Sequence, residues 1–322
     1  MISLGIESTA HTLGIGIIDS SGKVLADSRS VFQPPVGWGI KPVDAANHHM
    51  RNSARILESA MEKSGLSFKE IGIISYSQGA GLPPCLRVGF SLATELSKEY
   101  SKPLVPVCHQ VAHLEIANLL TKTKDPVYLY VSGGNTQIIS REGFRYSVLG
   151  ETQDIGIGNA LDKFGRSVGL KFPAGPQIEE LARNGKYLEL PYVVKGMDLS
   201  FSGILTAAIQ KSKSSPLDDV CFSLQETMFS MLAEVTERAL AHTGKKQAVL
   251  TGGVAANKRL TEILTIMCSE RNARFSSCPM EFCGDNGVMI AWTGIQVYKS
   301  GKIPGHGINP SLRTDDVDVT WL

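Results

Sequence analysis

The sequence predicts an α/β protein built from two related lobes. Three observations carry this. A hairpin of two apolar strands around a small polar turn occurs near the start and again near the middle of the chain. Apolar strands run into helices at several junctions. Two glycine turns follow strands in the second half.

The first hairpin runs from Ser3-Leu4-Gly5-Ile6-Glu7 through Ser8-Thr9 to Leu13-Gly14-Ile15-Gly16-Ile17-Ile18-Asp19. The second runs from Val127-Tyr128-Leu129-Tyr130-Val131 through Ser132-Gly133-Gly134-Asn135 to Gln137-Ile138-Ile139. Between them the pattern predicts a helix over about 45–64, a strand over 71–77, a glycine- and proline-rich loop over 78–84 and a helix over 86–99. A buried strand over 103–107 leads directly into an apolar helix that starts at His109. After the second hairpin, the glycine-dense stretch 154–175 reads as a shaped loop region. Helices are expected over 176–184, 204–212 and 217–243, with 195–203 irregular. Ala248 to Asn257 reads as strand, glycine turn and helix start, and Cys283-Gly284-Asp285-Asn286-Gly287 opens a last long helix. Asp315, Asp316 and Asp318 suggest an acidic tail. The expected lobes are 1–124 and 125–285, with 286–322 packing back on the first.

Composition narrows the function classes. The chain of 322 residues carries a formal charge of +1, so no global field draws it to nucleic acid or membrane, and RNA contact requires a local patch or partner subunits. No apolar run approaches the ~20 residues that span a bilayer. The six cysteines form no C-x-x-C pair and read as reduced, buried thiols of a cytoplasmic protein.

His109 and His113 carry the strongest chemical signal. Spaced four apart at a helix start, they point the same way and can hold one metal ion. The helix dipole at that end favours the neutral imidazoles a metal needs. The competing reading is two polar residues at a helix start. A zinc peptidase of the H-E-x-x-H type is disfavoured, because Gln110 stands where the general base would be. Ser132-Gly133-Gly134-Asn135 offers backbone N–H groups and side-chain donors to a phosphate. Thr251-Gly252-Gly253-Val254-Ala255-Ala256-Asn257 is a second turn entering a helix. Neither is a P-loop or a Rossmann fingerprint.

Together these turns and the repeated hairpin resemble the actin-like, sugar-kinase-like, Hsp70-like ATPase superfamily, in which two related lobes close over a nucleotide. In order along the chain stand Glu7-Ser8-Thr9-Ala10-His11-Thr12 with Gly14-Ile15-Gly16, His109-x-x-x-His113, Tyr130 to Thr136, Phe201-Ser202-Gly203, Gly252 to Asn257 and Asp285-Asn286-Gly287. That set is similar to the tRNA threonylcarbamoyladenosine-synthesis family, which includes bacterial TsaD and the catalytic subunit of the KEOPS complex. Ala10-His11-Thr12 and Ala112-His113-Leu114-Glu115 resemble its archaeal and eukaryotic branch, although Ser8 stands where glycine is expected.

The resemblance implies transfer of a threonylcarbamoyl group from threonylcarbamoyl-AMP to the N6 amine of the tRNA adenosine beside the anticodon. It implies His109, His113 and Asp285 as ligands of one divalent metal, iron or zinc, with Tyr130 at or near the metal. It implies Tyr130, Val131, Ser132, Gly133 and Gly134 as a run against the donor, and Asp162, Gly175, Glu179 and Asn257 around the adenine nucleotide. Glu7 is expected to face the cleft and assist proton transfer. Implied partners are tRNA, a small protein kinase-like ATPase (sometimes fused after this domain), small KEOPS accessory subunits and an upstream threonylcarbamoyl-AMP synthase. Each of these residues has a plain structural alternative, such as Asp285 or Asn257 capping a helix. A small-metabolite kinase of the same superfamily would leave the histidines without work. A non-catalytic nucleotide-binding scaffold would not depend on them.

Overall fold

The structure, a computed structural model, describes residues 1–35 and 37–321. The chain runs through β1 (Ile2–Glu7), β2 (Thr12–Asp19), β3 (Val24–Val31), α1 (Pro42–Ser64), β4 (Ile73–Gly79), α2 (Pro83–Glu99), β5 (Leu104–Cys108) and α3 (His109–Thr121). It continues through β6 (Val127–Val131), β7 (Thr136–Glu142), β8 (Arg145–Glu151), α4 (Ile157–Ser167), α5 (Gly175–Ala182), β9 (Val194–Lys195), β10 (Asp198–Leu199), α6 (Ser202–Lys211) and α7 (Leu217–Thr243). The last elements are β11 (Gln247–Thr251), α8 (Lys258–Glu270), β12 (Arg274–Ser277), α9 (Met280–Cys283) and α10 (Gly287–Ser300).

Two five-stranded sheets have the same topology. One has the order β3-β2-β1-β4-β5 and the other β8-β7-β6-β11-β12, read from its antiparallel edge. In each, the hairpin and its third strand are antiparallel, and the last two strands run parallel to the first. The repeated hairpin seen in the sequence is thus the start of a repeated sheet. The equivalent strands β1 and β6, and β4 and β11, end on the side where open α/β sheets bind ligands.

Helix α3 joins the two sheets. Val111, Leu114 and Ala117 pack into the core around the second sheet, whereas Ala112 and Ile116 pack into a core shared with α10 and the first sheet. A helix buried on nearly every side, as the first nine residues of this one are, belongs between two packed layers. Helix α10 lies on β1 and β2 at backbone distance. A Cβ on Gly16 would stand 2.2 Å from the Val288 nitrogen, and one on Gly5 would stand 2.3 Å from the Gly287 carbonyl oxygen. These glycines let the helix sit directly on the hairpin, which places Asp285 beside α3.

Three sequence expectations are corrected. The stretch 154–175 is not all loop, because Ile157, Ala160, Leu161 and Phe164 bury one face of α4. Residues 195–203 contain the short β9–β10 hairpin. The acidic segment near the C-terminus is packed: Arg313 pairs with Asp315 and Glu151, Asp318 pairs with Arg145, and Val319 is buried. Among the described residues, no helix is long and apolar enough to cross a membrane. All six cysteines are buried free thiols.

Candidate metal centre and donor cleft

The strand-to-helix junction at β5–α3 puts His109 and His113 one turn apart on the same side, with ring centroids 4.7 Å apart. Asp285 reaches them from the turn before α10. Its Oδ1 lies 3.3 Å from His113 Nε2 and 3.6 Å from His109 Nε2. One ligand atom from each of the three residues falls within 4.8 Å of the others. Asp285 does not cap α10; Asn286 does, accepting from the Met289 N–H at 2.8 Å. The carboxylate is therefore left for the histidines.

Tyr130 completes one wall. Its ring centroid lies 5.2 Å from that of His113, and its hydroxyl is buried with no hydrogen-bond partner. A buried polar atom without a partner is costly, and a cation beside it would satisfy it. Burial and the nearby Asp285 push the Tyr130 phenol well above its ordinary range.

The Glu7 expectation is corrected. Glu7 is fully buried and both its oxygens are engaged. Oε2 accepts from His109 Nδ1 at 2.9 Å, and Oε1 accepts from the Thr9 N–H and the Thr9 hydroxyl. A histidine that donates Nδ1–H to a carboxylate has its tautomer fixed and its Nε2 lone pair presented to a metal. Glu7 therefore orients the His109 ring and, fully buried, does not face the open cleft. Thr9, which holds Glu7 and lies 3.4 Å from His109 Nδ1, was not among the expected site residues.

The two imidazoles have different electrostatic surroundings. Burial lowers the pKa of His113. Burial also opposes a charge on His109, but the Glu7 carboxylate, by charge and hydrogen bond, and Asp285 behind it raise that pKa to about 9. Burial alone would raise the Asp285 carboxyl; the His113 hydrogen bond and the charge of His109 outweigh it and hold the group well below the usual range. The carboxylates of Glu7 and Asp285 thus favour positive charge at this point. The donor set and this charge preference both fit a divalent cation bound by imidazole and carboxylate.

Gln110 points elsewhere. Its Nε2 donates to the Leu312 carbonyl at 3.2 Å and its Oε1 accepts from Cys108 Sγ, tying α3 to the C-terminal segment.

The glycine turns lie next to this centre. Tyr130 on β6 pairs with Thr251 on β11, so both turns leave adjacent strand ends. The Thr251 hydroxyl donates to the His113 carbonyl at 3.2 Å. In the first turn the Ser132 and Gly133 carbonyls accept from Gly158 and Asn159 at the start of α4. Gly133 and Gly134 are exposed residues, and their N–H groups donate to no backbone carbonyl among the described residues. In the second turn Gly252 has φ +96, and a Cβ there would stand 2.3 Å from the Val131 carbonyl oxygen. Only glycine lets the two turns meet this closely.

The remaining expected residues divide. Asp162 on α4 is half-buried and accepts from the Ala174 N–H at 2.7 Å through one oxygen, fixing the turn before Gly175; burial raises its pKa. Nothing stands within 4 Å of a Cβ placed on Gly175. Glu179 uses one oxygen on the Lys258 N–H at 2.8 Å. In both acids the second oxygen makes no hydrogen bond among the described residues. Asn257 differs from expectation. It is buried, its Oδ1 caps α8 at Leu260 N, and its Nδ2 donates to Gln225. The plain capping role accounts for it.

A sequence model described as tRNA N6-adenosine threonylcarbamoyltransferase, TsaD, matches residues 23–292. The chain belongs to the tRNA N6-adenosine threonylcarbamoyltransferase family. Its curated relatives include the protein of that name from Thermococcus sibiricus, 52% identical over 327 residues and covering all of both chains. The protein of that name from Thermofilum pendens is 50% identical, over 99% of this chain and 96% of the relative. A "probable bifunctional tRNA threonylcarbamoyladenosine biosynthesis protein" of Methanocaldococcus jannaschii is 50% identical over all of this chain and 61% of its own length.

Solved structures agree on the fold. Thermococcus kodakarensis HypF is similar with a TM-score of 0.64 at 15% identity, over 93% of this chain and 48% of that one. The activator of 2-hydroxyisocaproyl-CoA dehydratase from Clostridium difficile, with bound ADPNP, has a TM-score of 0.57 at 12% identity, over 95% and 100%. The chain therefore shares the α/β fold of these proteins.

Proposed function

We propose that this chain transfers the threonylcarbamoyl group of threonylcarbamoyl-AMP to the N6 amine of the tRNA adenosine adjacent to the anticodon. The single observation that carries the reading is the adjacency of the His109–His113–Asp285 cluster to the exposed Gly133–Gly134 turn at the end of β6, whose N–H groups donate to no backbone carbonyl among the described residues. The donor is a mixed anhydride, with a phosphate at one end and a carbonyl to be attacked at the other. In this reading the cluster takes the carbonyl end and the turn takes the phosphate end.

Gly133 and Gly134 N–H groups receive the phosphate, and the free oxygens of Asp162 and Glu179 receive ribose hydroxyls. His109, His113 and Asp285, with Tyr130 beside them, would hold one divalent cation, iron or zinc, which would supply Lewis-acid polarisation of the carbonyl. Glu7 and Thr9 keep His109 aimed. In the reaction N6 bonds to the carbamoyl carbon, the bond from that carbon to the phosphate oxygen breaks, and AMP leaves with the electron pair while N6 gives up a proton. The adenosine amine is a weak nucleophile, so positioning and carbonyl polarisation carry most of the acceleration. A kinase reading leaves the His109–His113–Asp285 cluster unexplained.

We place residues 1–124 in the first lobe and 125–285 in the second, with α10 on the first. The reaction belongs in the cytoplasm, with a threonylcarbamoyl-AMP synthase upstream. A kinase-like ATPase and small accessory subunits act as partners. The longer bifunctional relatives support a partner joined to this domain.

The test is reconstitution with unmodified tRNA, threonylcarbamoyl-AMP and those partners. Wild type is expected to form threonylcarbamoyladenosine, and His109→Ala and Asp285→Ala are each expected to lose at least a hundredfold in rate. Equal product from all three removes the cluster from the mechanism.

A further inference from the structure

The tRNA must approach from the open side of the cleft, yet the chain as a whole is nearly neutral. Recognition therefore needs a local feature, and the segment between β3 and α1 supplies one. Trp38 stands there 57% exposed. The other two tryptophans, Trp292 and Trp321, are partly buried against the cores. Lys41 Nζ sits 4.3 Å over the centre of the Trp38 ring, which steadies the ring and covers one face.

The segment reaches across to the second lobe. A Cβ on Gly39 would stand 3.2 Å from Arg166 Nη1 on α4. Lys163 lies one turn before Arg166, and both are exposed. Among the described residues Lys41, Lys163 and Arg166 take part in no ion pair. The root of the segment is fixed to the reaction site. Phe32 N–H donates to the His11 carbonyl at 2.8 Å, on the same hairpin turn that carries Thr9 and Glu7. The His11 ring in turn meets Phe172 of the second lobe edge-on, with centroids 5.5 Å apart.

An exposed indole beside unpaired cations, on a segment tied to both the first hairpin turn and α4, matches the way proteins hold single-stranded RNA: bases stack on aromatic faces and phosphates meet lysine and arginine. We propose that Trp38 is a stacking platform for an unpaired base of the tRNA anticodon loop flanking the target adenosine. Lys41, Lys163 and Arg166 hold the adjoining phosphates. This rests on the transferase reading above. The platform is a positioning device: it sets how the loop lies and does not touch the reacting atoms.

The experiment measures steady-state kinetics of the assembled complex with unmodified tRNA and threonylcarbamoyl-AMP, alongside quenching of tryptophan fluorescence by the tRNA. Trp38→Ala is expected to raise KM for tRNA roughly tenfold, with kcat and the KM for threonylcarbamoyl-AMP within twofold of wild type. Trp38→Phe is expected to recover most of the loss. Lys163→Ala and Arg166→Ala are each expected to lower the slope of log affinity against log salt by roughly 0.7–0.9, as loss of one phosphate contact requires. Because Trp38 is exposed, circular dichroism of the variants should match wild type.

Wild-type transfer with an unchanged KM for tRNA in Trp38→Ala overturns the platform and leaves the transferase reading standing. Trp38-dependent quenching by tRNA without any transfer does the reverse. A wild type that neither binds nor modifies tRNA overturns both.

Discussion

Replacing Gly16 with alanine tests how the centre is assembled. The added Cβ would stand 2.2 Å from the Val288 nitrogen and 2.5 Å from the Gly287 carbonyl carbon, both backbone atoms of α10. Neither can rotate away, so the helix must shift on the hairpin by an ångström or more. Overpacking against backbone in a closed core costs about 3 kcal/mol, which for a chain of this size lowers Tm by roughly 5–10 °C. The same shift moves Asp285, two residues before the helix, relative to His109 and His113. Metal affinity is therefore expected to fall together with stability. Urea unfolding read by circular dichroism, paired with metal titration of the folded variant, measures both. Gly203→Ala is the control: nothing stands within 4 Å of a Cβ there, and in helix α6 alanine is favoured by about 1 kcal/mol. A Gly16→Ala protein with the wild-type unfolding midpoint would refute the packing argument. One that is destabilised but binds metal as tightly as wild type would refute the link from α10 to the centre.

Two further outcomes follow from buried polar groups. The Ser8 hydroxyl is buried without a partner, and Ser8→Ala is expected to leave stability unchanged or raise it by about 1 kcal/mol; a loss of that size in urea unfolding would mean the hydroxyl is engaged. His49 is fully buried, and its Nε2–H donates to the Ala10 carbonyl at 3.1 Å. Burial, with a smaller contribution from His48, lowers its pKa from 6.5 to about 4. Between those values the unfolded chain binds the proton and the folded one does not, so stability is lost as pH falls from about 6.5 to 4, by roughly 3 kcal/mol from this residue. His49→Gln should flatten the stability profile over that window, and an unchanged profile would contradict the assignment.

Much of the fold was legible where pattern and burial coincide. The two hairpins carry continuous apolar strands on both sides of a polar turn, and the β5–α3 junction shows an apolar strand running straight into an apolar helix. The third strand of each sheet was not read. In β3 only half of the residues in Val24–Val31 are apolar, and β8 includes Arg145, Ser147 and Glu151 on an edge. The four residues of β12 are too few to show a period. Helix α4 was hidden by glycines, although Ile157, Ala160, Leu161 and Phe164 carry a helical spacing. The site divides in the same way. The i, i+4 histidines announce themselves locally. The pairing of His109 with Glu7, 102 residues away, and the release of Asp285 by an Asn286 cap exist only once the chain is folded. Gln110 looked like a failed catalytic base. Its place is explained by a carbonyl at Leu312 that no local pattern could indicate.

The central claim is that His109, His113 and Asp285 form one metal centre beside the donor cleft. Metal-to-protein stoichiometry, measured by elemental analysis on wild type and on His109→Ala, His113→Ala and Asp285→Ala purified in parallel, tests it most directly. The account predicts one iron or zinc per wild-type chain and a loss of most of that metal in each variant, with the fold retained by circular dichroism. Full stoichiometry in all three folded variants would contradict it.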